Sequence, residues 1–190
     1  DVKLQRVVNV ANRVGVRVAR GRYTLPSRIE IGDGEVQAIR AMTADVLATG
    51  PAGRQWHATE IVARIAGLNG IRVALTPELL TFALKDAPLV RSLGRMIFEL
   101  ADRETAGQRI HLRDLIVSAI EEAGRPLTKR EIREAVSKVR GVGAGFHVNE
   151  GNGIVRIANA TYATEAMAAR LAADVVPAMV AEPAFAQIAA

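Results

Sequence analysis

The chain contains no cysteine. That excludes disulfides and thiolate metal ligands, and it fits a reducing compartment. Aromatic residues are only 4% of the 190 positions, so a core has to be built from Ala, Val, Leu and Ile. No apolar run approaches the roughly 18 residues of a membrane span, and no signal peptide is visible. Histidines are few. His111 and His147 have no paired nucleophile or carboxylate cluster, and His57 and Glu60, three apart, lack a third ligand for a metal. Gly141, Gly143 and Gly145 give G-x-G-x-G rather than G-x-G-x-x-G. They follow a helical pattern instead of a strand, so the context of a phosphate cradle fails. Without a catalytic constellation, a cofactor motif or a metal-ligand set, the sequence reads as a non-enzyme with no cofactor.

What is present is apolar and basic: 49% hydrophobic residues and a formal charge of +5. That composition is globular and too apolar for disorder. The charge is uneven. Residues 1–30 carry +5, 31–105 carry −1, 106–163 carry +3 and 164–190 carry −2. Clustered arginine is the footprint of a polyanion partner. The alternative is that high Arg and Ala usage reflects genome base composition.

One stretch, Leu75 to Leu100, organises the rest. Thr76-Pro77-Glu78 is a helix start: a hydroxyl N-cap, proline at the first helical position and an early acid. Leu79, Leu80, Ala83 and Leu84 recur at helical spacing, and Ala87-Pro88 ends the helix. Val90–Leu93 and Met96–Phe98 then read as strands around a Gly94-Arg95 turn. Two helices precede this stretch, Glu35 to Ala48 and His57 to Ala66, with Trp56 opening the second and expected to pack in the core, the alternative being to stack on a base. Helix, helix, helix and tight hairpin is the order of a winged helix-turn-helix. The hairpin recurs. Val16-Arg17 precedes Val90-Arg91 and Val155-Arg156 follows it, at spacings of 74 and 65 positions between the arginines. Each is followed by small or apolar residues, a turn and a hydrophobic strand, which indicates one small unit per repeat. The first hairpin lacks its front helices, so the chain reads as a fragment missing its N-terminal part.

Val2 to Arg13 reads as a helix with Leu4, Val7, Val8 and Ala11 on its apolar stripe. Lys3, Arg6, Asn9 and Arg13 lie on the other side; such side chains pair with base edges in a major groove, or simply form a solvated face. Arg17, Arg20 and Arg22 surround Gly21 on the first hairpin, where a wing tip meets phosphates or a narrow minor groove. Pro26 to Gly34 is a linker. In the middle unit the helix after Thr76 exposes Glu78, Thr81, Lys85 and Asp86, which are nearly neutral, while its wing carries Arg91 and Arg95. That unit looks more like a spacer or protein-binding unit than a reader of DNA.

The third unit begins with a helix from Leu112 to Ala123 and continues with one from Thr128 to Val139, opened by the capping box Thr128-Lys129-Arg130-Glu131. Ile132, Ala135, Val136 and Val139 face in. Lys129, Arg130, Arg133, Glu134, Lys138 and Arg140 face out, a basic surface. The run Ala123-Gly124-Arg125-Pro126-Leu127-Thr128-Lys129-Arg130-Glu131-Ile132 resembles the helix-1/helix-2 junction of HARE-type winged helices. Those domains occur in chromatin factors, restriction enzymes and a bacterial RNA polymerase accessory subunit. The resemblance, over residues 112–163, implies a small winged helix tied to DNA or the transcription machinery. The pattern would next require a third helix, and Gly141–Gly145 stands in its place. Thr164 caps a closing helix to Val180 that Pro177 kinks or ends, followed by a nearly uncharged tail.

The expected fold is α+β and mostly helical, in tandem winged helix-turn-helix domains with the first incomplete. Residues 1–30 form the back half of one unit, 31–105 and 106–163 two more, and 164–190 a C-terminal helix and tail. The expected function is double-stranded DNA binding in the transcription or chromosome machinery of a bacterium, in the cytoplasm on the nucleoid. RNA polymerase or another protein is a further partner. The expected contacts are Lys3, Arg6, Asn9, Arg13, Arg17, Arg20, Arg22, Arg91, Arg95, Lys129, Arg130, Arg133 and Lys138. The alternative is a protein-interaction scaffold that does not read DNA.

Overall fold

Two stretches of the chain repeat one order of elements: a helix, a two-residue strand, a second helix and a β-hairpin. The structure is a computed structural model that describes residues 15–19, 21–68, 70–101, 107–143 and 145–180. The helix expected over Val2–Arg13 lies outside these residues.

A hairpin of β1 (Val16–Ala19) and β2 (Arg22–Thr24) comes first. The first repeat then runs α1 (Asp33–Ala48), β3 (Trp56–His57), α2 (Ala58–Ile65), α3 (Pro77–Ala83), β4 (Val90–Ser92) and β5 (Ile97–Leu100). The second runs α4 (Leu112–Ala123), β6 (Leu127–Thr128), α5 (Lys129–Val139), β7 (Ile154–Ala158), β8 (Thr161–Thr164) and α6 (Glu165–Val180). In both repeats the short strand between the helices pairs antiparallel with the last strand of the hairpin, giving the orders β3-β5-β4 and β6-β8-β7. The fold is thus α+β, with winged-helix-like units in tandem. No helix among the described residues is long and apolar enough to cross a membrane.

The start signals act as their chemistry requires. Thr76 Oγ1 accepts the Leu79 N–H at 3.1 Å, and Pro77 takes the first helical position of α3. Thr128 and Glu131 exchange bonds at the head of α5. The Thr128 N–H donates to Glu131 Oε2 at 2.8 Å, and Thr128 Oγ1 accepts the Glu131 N–H at 3.3 Å. Thr164 Oγ1 accepts the Met167 N–H at 3.3 Å and starts α6.

Several expectations are corrected. Trp56 does not open a helix. It sits on β3 opposite Phe98, and His57 caps α2 instead. Helix α3 ends at Ala83, short of Ala87-Pro88, because Asp86 turns into the left-handed region at φ 60. Helix α6 reaches Val180 as expected, so Pro177 does not end it. Val139 is 41% exposed, and Arg140 is half-buried rather than facing out. Both follow from one cause. The helical period stops at Val139, and the chain there joins a sheet edge: Gln55 N–H donates to Val139 O at 3.0 Å and Gly141 N–H to Gln55 O at 2.7 Å.

The described residues group into two compact units. One takes the chain up to Ile110 together with Ser137–Gly145; the other takes His111–Val136 and the chain from Phe146. The core of the first is Ile39, Leu47, Trp56, Ile61, Ile65, Leu80 and Phe98. Each such side chain, fully removed from water, contributes about 1.5–3 kcal/mol. In the second unit Ile116, Ile120, Leu127, Ile132, Ile154 and Tyr162 are buried.

Candidate nucleic-acid interface

The hairpins set where arginine is presented. In the first, Arg17 pairs with Tyr23 and Ala19 with Arg22; in the last, Arg156 pairs with Tyr162 and Ala158 with Thr161. The two hairpins therefore share one register and one tip, with Gly21 at φ 72 matched by Ala160 at φ 50. Arg22 stands exposed at the first tip. The last tip carries Asn159, Ala160 and Thr161 and no cation. The middle hairpin turns through Gly94, Arg95 and Met96, all at positive φ, and Arg95 is exposed there.

Three other hairpin arginines, Arg17, Arg91 and Arg156, are engaged within the fold. Arg17 lies 3.8 Å from Glu78 in the first turn of α3. Arg91 pairs with Glu99 at 2.9 Å and donates to Ala101 O at 3.0 Å. Glu99 is 2% exposed, and a carboxylate so buried requires a charged partner, so Arg91 is fixed by the wing's own interior. Arg156 faces Glu150 at 3.9 Å.

On α5, Arg130, Arg133 and Lys138 are exposed and Lys129 is half-buried. Arg130 lies 3.8 Å from Glu134 one turn on, a weak solvated pair. Among the described residues no helix stands between α5 and β7, so this unit lacks the element that would enter a major groove. Lys3, Arg6, Asn9, Arg13 and Arg20 lie outside the described residues.

The helix junctions hold a pattern that the reading of the sequence passed over. Ala52-Gly53-Arg54 and Glu60-Ile61 recur, 71 positions on, as Ala123-Gly124-Arg125 and Glu131-Ile132. The geometry recurs with them. Arg54 lies 3.3 Å from Glu60, and Arg125 2.7 Å from Glu131. His57 occupies the capping position of Thr128, accepting the Thr59 N–H at its Nδ1 at 3.2 Å. His57 and Glu60 are therefore a helix cap and an ion-pair partner. Arg54 and Arg64 also lie over the Trp56 ring, at 3.7 and 4.6 Å from its centre.

The electrostatics follow burial and neighbours. Hydrogen bonds from Arg125 and Thr128 lower the Glu131 carboxyl to about 2. Burial, then the nearby Arg140 charge, lowers His57 and favours the neutral ring that its capping bond needs. Burial, then the like charges of Arg109 and Arg95, holds Arg140 below the usual arginine value. Among the described residues no three His, Asp or Glu side chains gather as metal ligands.

The glycine run has its own geometry. A Cβ on Gly141 would run into Glu60 Oε2 and the backbone nitrogen of His57, so the chain can reach the edge of β3 only with glycine there. Comparison with protein-family models, with curated proteins and with solved structures gives no match to this chain.

Proposed function

We propose that this chain is a tandem winged-helix protein of HARE-like type that binds double-stranded DNA. One observation carries the reading. The tips of the first two hairpins present Arg22 and Arg95 exposed, with no acid partner within ion-pair distance among the described residues. A wing arginine left free in this way suits the phosphate backbone, which supplies most sequence-independent affinity. Base contacts fall to Arg6, Asn9 and Arg13, beside Lys3, on the helix that the sequence predicts over Val2–Arg13. Arg20 and the α5 cations Lys129, Arg130, Arg133 and Lys138 add phosphate contacts. Such a protein belongs to the transcription or chromosome machinery of a bacterium, on the nucleoid, where RNA polymerase is a fitting protein partner.

The second reading, a protein-interaction scaffold, draws on the last unit, which among the described residues has no helix between α5 and β7, and on Arg17 and Arg91, which are tied to acids. A gel-shift titration with random duplex DNA at two salt concentrations separates the two. For a DNA binder, each phosphate contact removed by Arg20→Ala or Arg22→Ala lowers the salt slope by roughly 0.9, on all sequences alike. Arg6→Ala or Asn9→Ala costs about 1–3 kcal/mol on a preferred site and little elsewhere. Weak binding indifferent to all of these changes selects the scaffold.

A further inference from the structure

Gln55 is 2% exposed and commits its whole amide to one neighbouring segment. Its Nε2 donates to Gln108 O at 2.8 Å, and its Oε1 accepts the Ile110 N–H at 3.0 Å. The residue pinned between those two bonds is Arg109. The Gln55 backbone does the same on the other side, bonding Val139 O and the Gly141 N–H, and the residue between them is Arg140. One buried glutamine thus fixes the backbone on both sides of two arginines. Arg140 Nη1 donates to Ile110 O at 2.7 Å, which brings its guanidinium beside the backbone that carries Arg109. The Arg140 Nε is buried and has no hydrogen-bond partner. Arg95 enters from the wing turn ahead of β5, the strand next to β3 in the same sheet. Its charge and that of Arg109 both bear on Arg140.

None of the three has an acid within ion-pair distance among the described residues. Glu60, whose carboxylate lies against Gly141, is paired with Arg54. Gathering like charges at a partly desolvated edge is costly, and an anion offsets the cost. Guanidinium forks match phosphate oxygens in shape and charge. Three cations supplied by three separate segments suit a chain of phosphates, which offers each its own oxygens.

We propose that Arg95, Arg109 and Arg140 form a phosphate-binding edge for double-stranded DNA on the middle unit, separate from the first hairpin. This rests on the DNA-binding reading above and gives the middle unit a direct role in it. The test is fluorescence anisotropy of the full chain with a short random-sequence duplex, as a function of salt. Arg109→Gln lowers the salt slope by roughly 0.9, and Arg95→Gln with Arg109→Gln by roughly 1.8. Arg140→Lys, which keeps the charge, leaves the slope in place. Lys85→Gln with Arg170→Gln removes as much charge elsewhere and leaves it in place too. Thermal melts show that each variant is folded. If Arg109→Gln keeps the parent slope while Arg22→Ala lowers it, this edge is rejected and the DNA reading stands. If the parent chain does not bind duplex DNA at low salt, both fall. Preference for single-stranded RNA over the duplex also overturns the proposal.

Discussion

Arg125 closes on Glu131 at 2.7 Å across the turn into α5, as Arg54 closes on Glu60 at 3.3 Å across the turn into α2. The pair ties the residue after the turn glycine to the third position of the next helix. The offset between the repeats is 71 positions at this junction and 65 at the hairpin arginines Arg91 and Arg156. The difference of six residues falls where α3 stands in one unit and, among the described residues, no helix stands in the other.

The junction carries a pH signature. The Glu131 carboxyl lies at about 2 in the folded state, against 4.5 ordinarily. A depressed carboxylate stabilises the fold above its ordinary value, and the contribution is lost as pH falls toward the folded value. Melting temperature should therefore decline between those two values. In Glu131→Gln the decline should be shallower, with the curves converging at the acid end. Parallel curves for parent and variant would remove Glu131 from the account. The group is exposed, so the effect is modest.

Phe98 and Trp56 face each other on β5 and β3, and each is 1% exposed. Phe98→Ala should cost about 3–5 kcal/mol in denaturant unfolding. Trp56 is the sole tryptophan, so its emission reports on this core directly. It should be blue-shifted in the native protein and move to the red on unfolding. Native emission at the position of free tryptophan would contradict the burial described here.

Gly141 and Gly145 should behave differently although both belong to the same run. A methyl group on Gly141 meets Glu60 and His57, whereas one on Gly145 meets nothing within 4 Å. Gly141→Ala should destabilise by about 1–3 kcal/mol, and Gly145→Ala should be close to neutral. Equal melting temperatures for the two variants would show that residues 139–141 do not hold the edge of β3.

Ala160 sits at φ 50 where the matching hairpin has Gly21. A side chain in the left-handed region costs about 1–2 kcal/mol, part of which glycine returns as unfolded-state entropy. Ala160→Gly should raise stability by about 0.5–1 kcal/mol. A loss of stability would mean that the turn has another conformation.

Much of the fold is legible in short-range chemistry. Thr76-Pro77, the Thr128–Glu131 box and the three Val-Arg hairpins each act within a few residues of themselves, so the sequence announces them. Trp56 misleads because a strand of two residues has no periodicity to read, and only its partner Phe98 defines it. Val139 and Arg140 mislead because their sidedness is set by Gln55, more than eighty positions away. The same holds for the candidate site. The exposed wing arginines are readable from turn position, but the burial of Glu99 that engages Arg91 is not. Nor is the double clamp of Gln55 on Arg109 and Arg140. The 71-position recurrence of Ala-Gly-Arg…Glu-Ile was the available signal for the junction pair, and its meaning lies in a contact, not in a motif.

The edge of β3 is completed by residues 139–141, which follow a helix that begins in the other unit. The chain therefore leaves the first unit after Ile110 and returns to it at Ser137. During synthesis the sheet cannot gain this bridge to Gln55 until the ribosome has released the glycine run. By then α4 and β6 are already outside. Translation pace across this stretch thus becomes a determinant of folding, and a nascent chain halted before Gly141 would present β3 with an open edge to whatever strand is nearest.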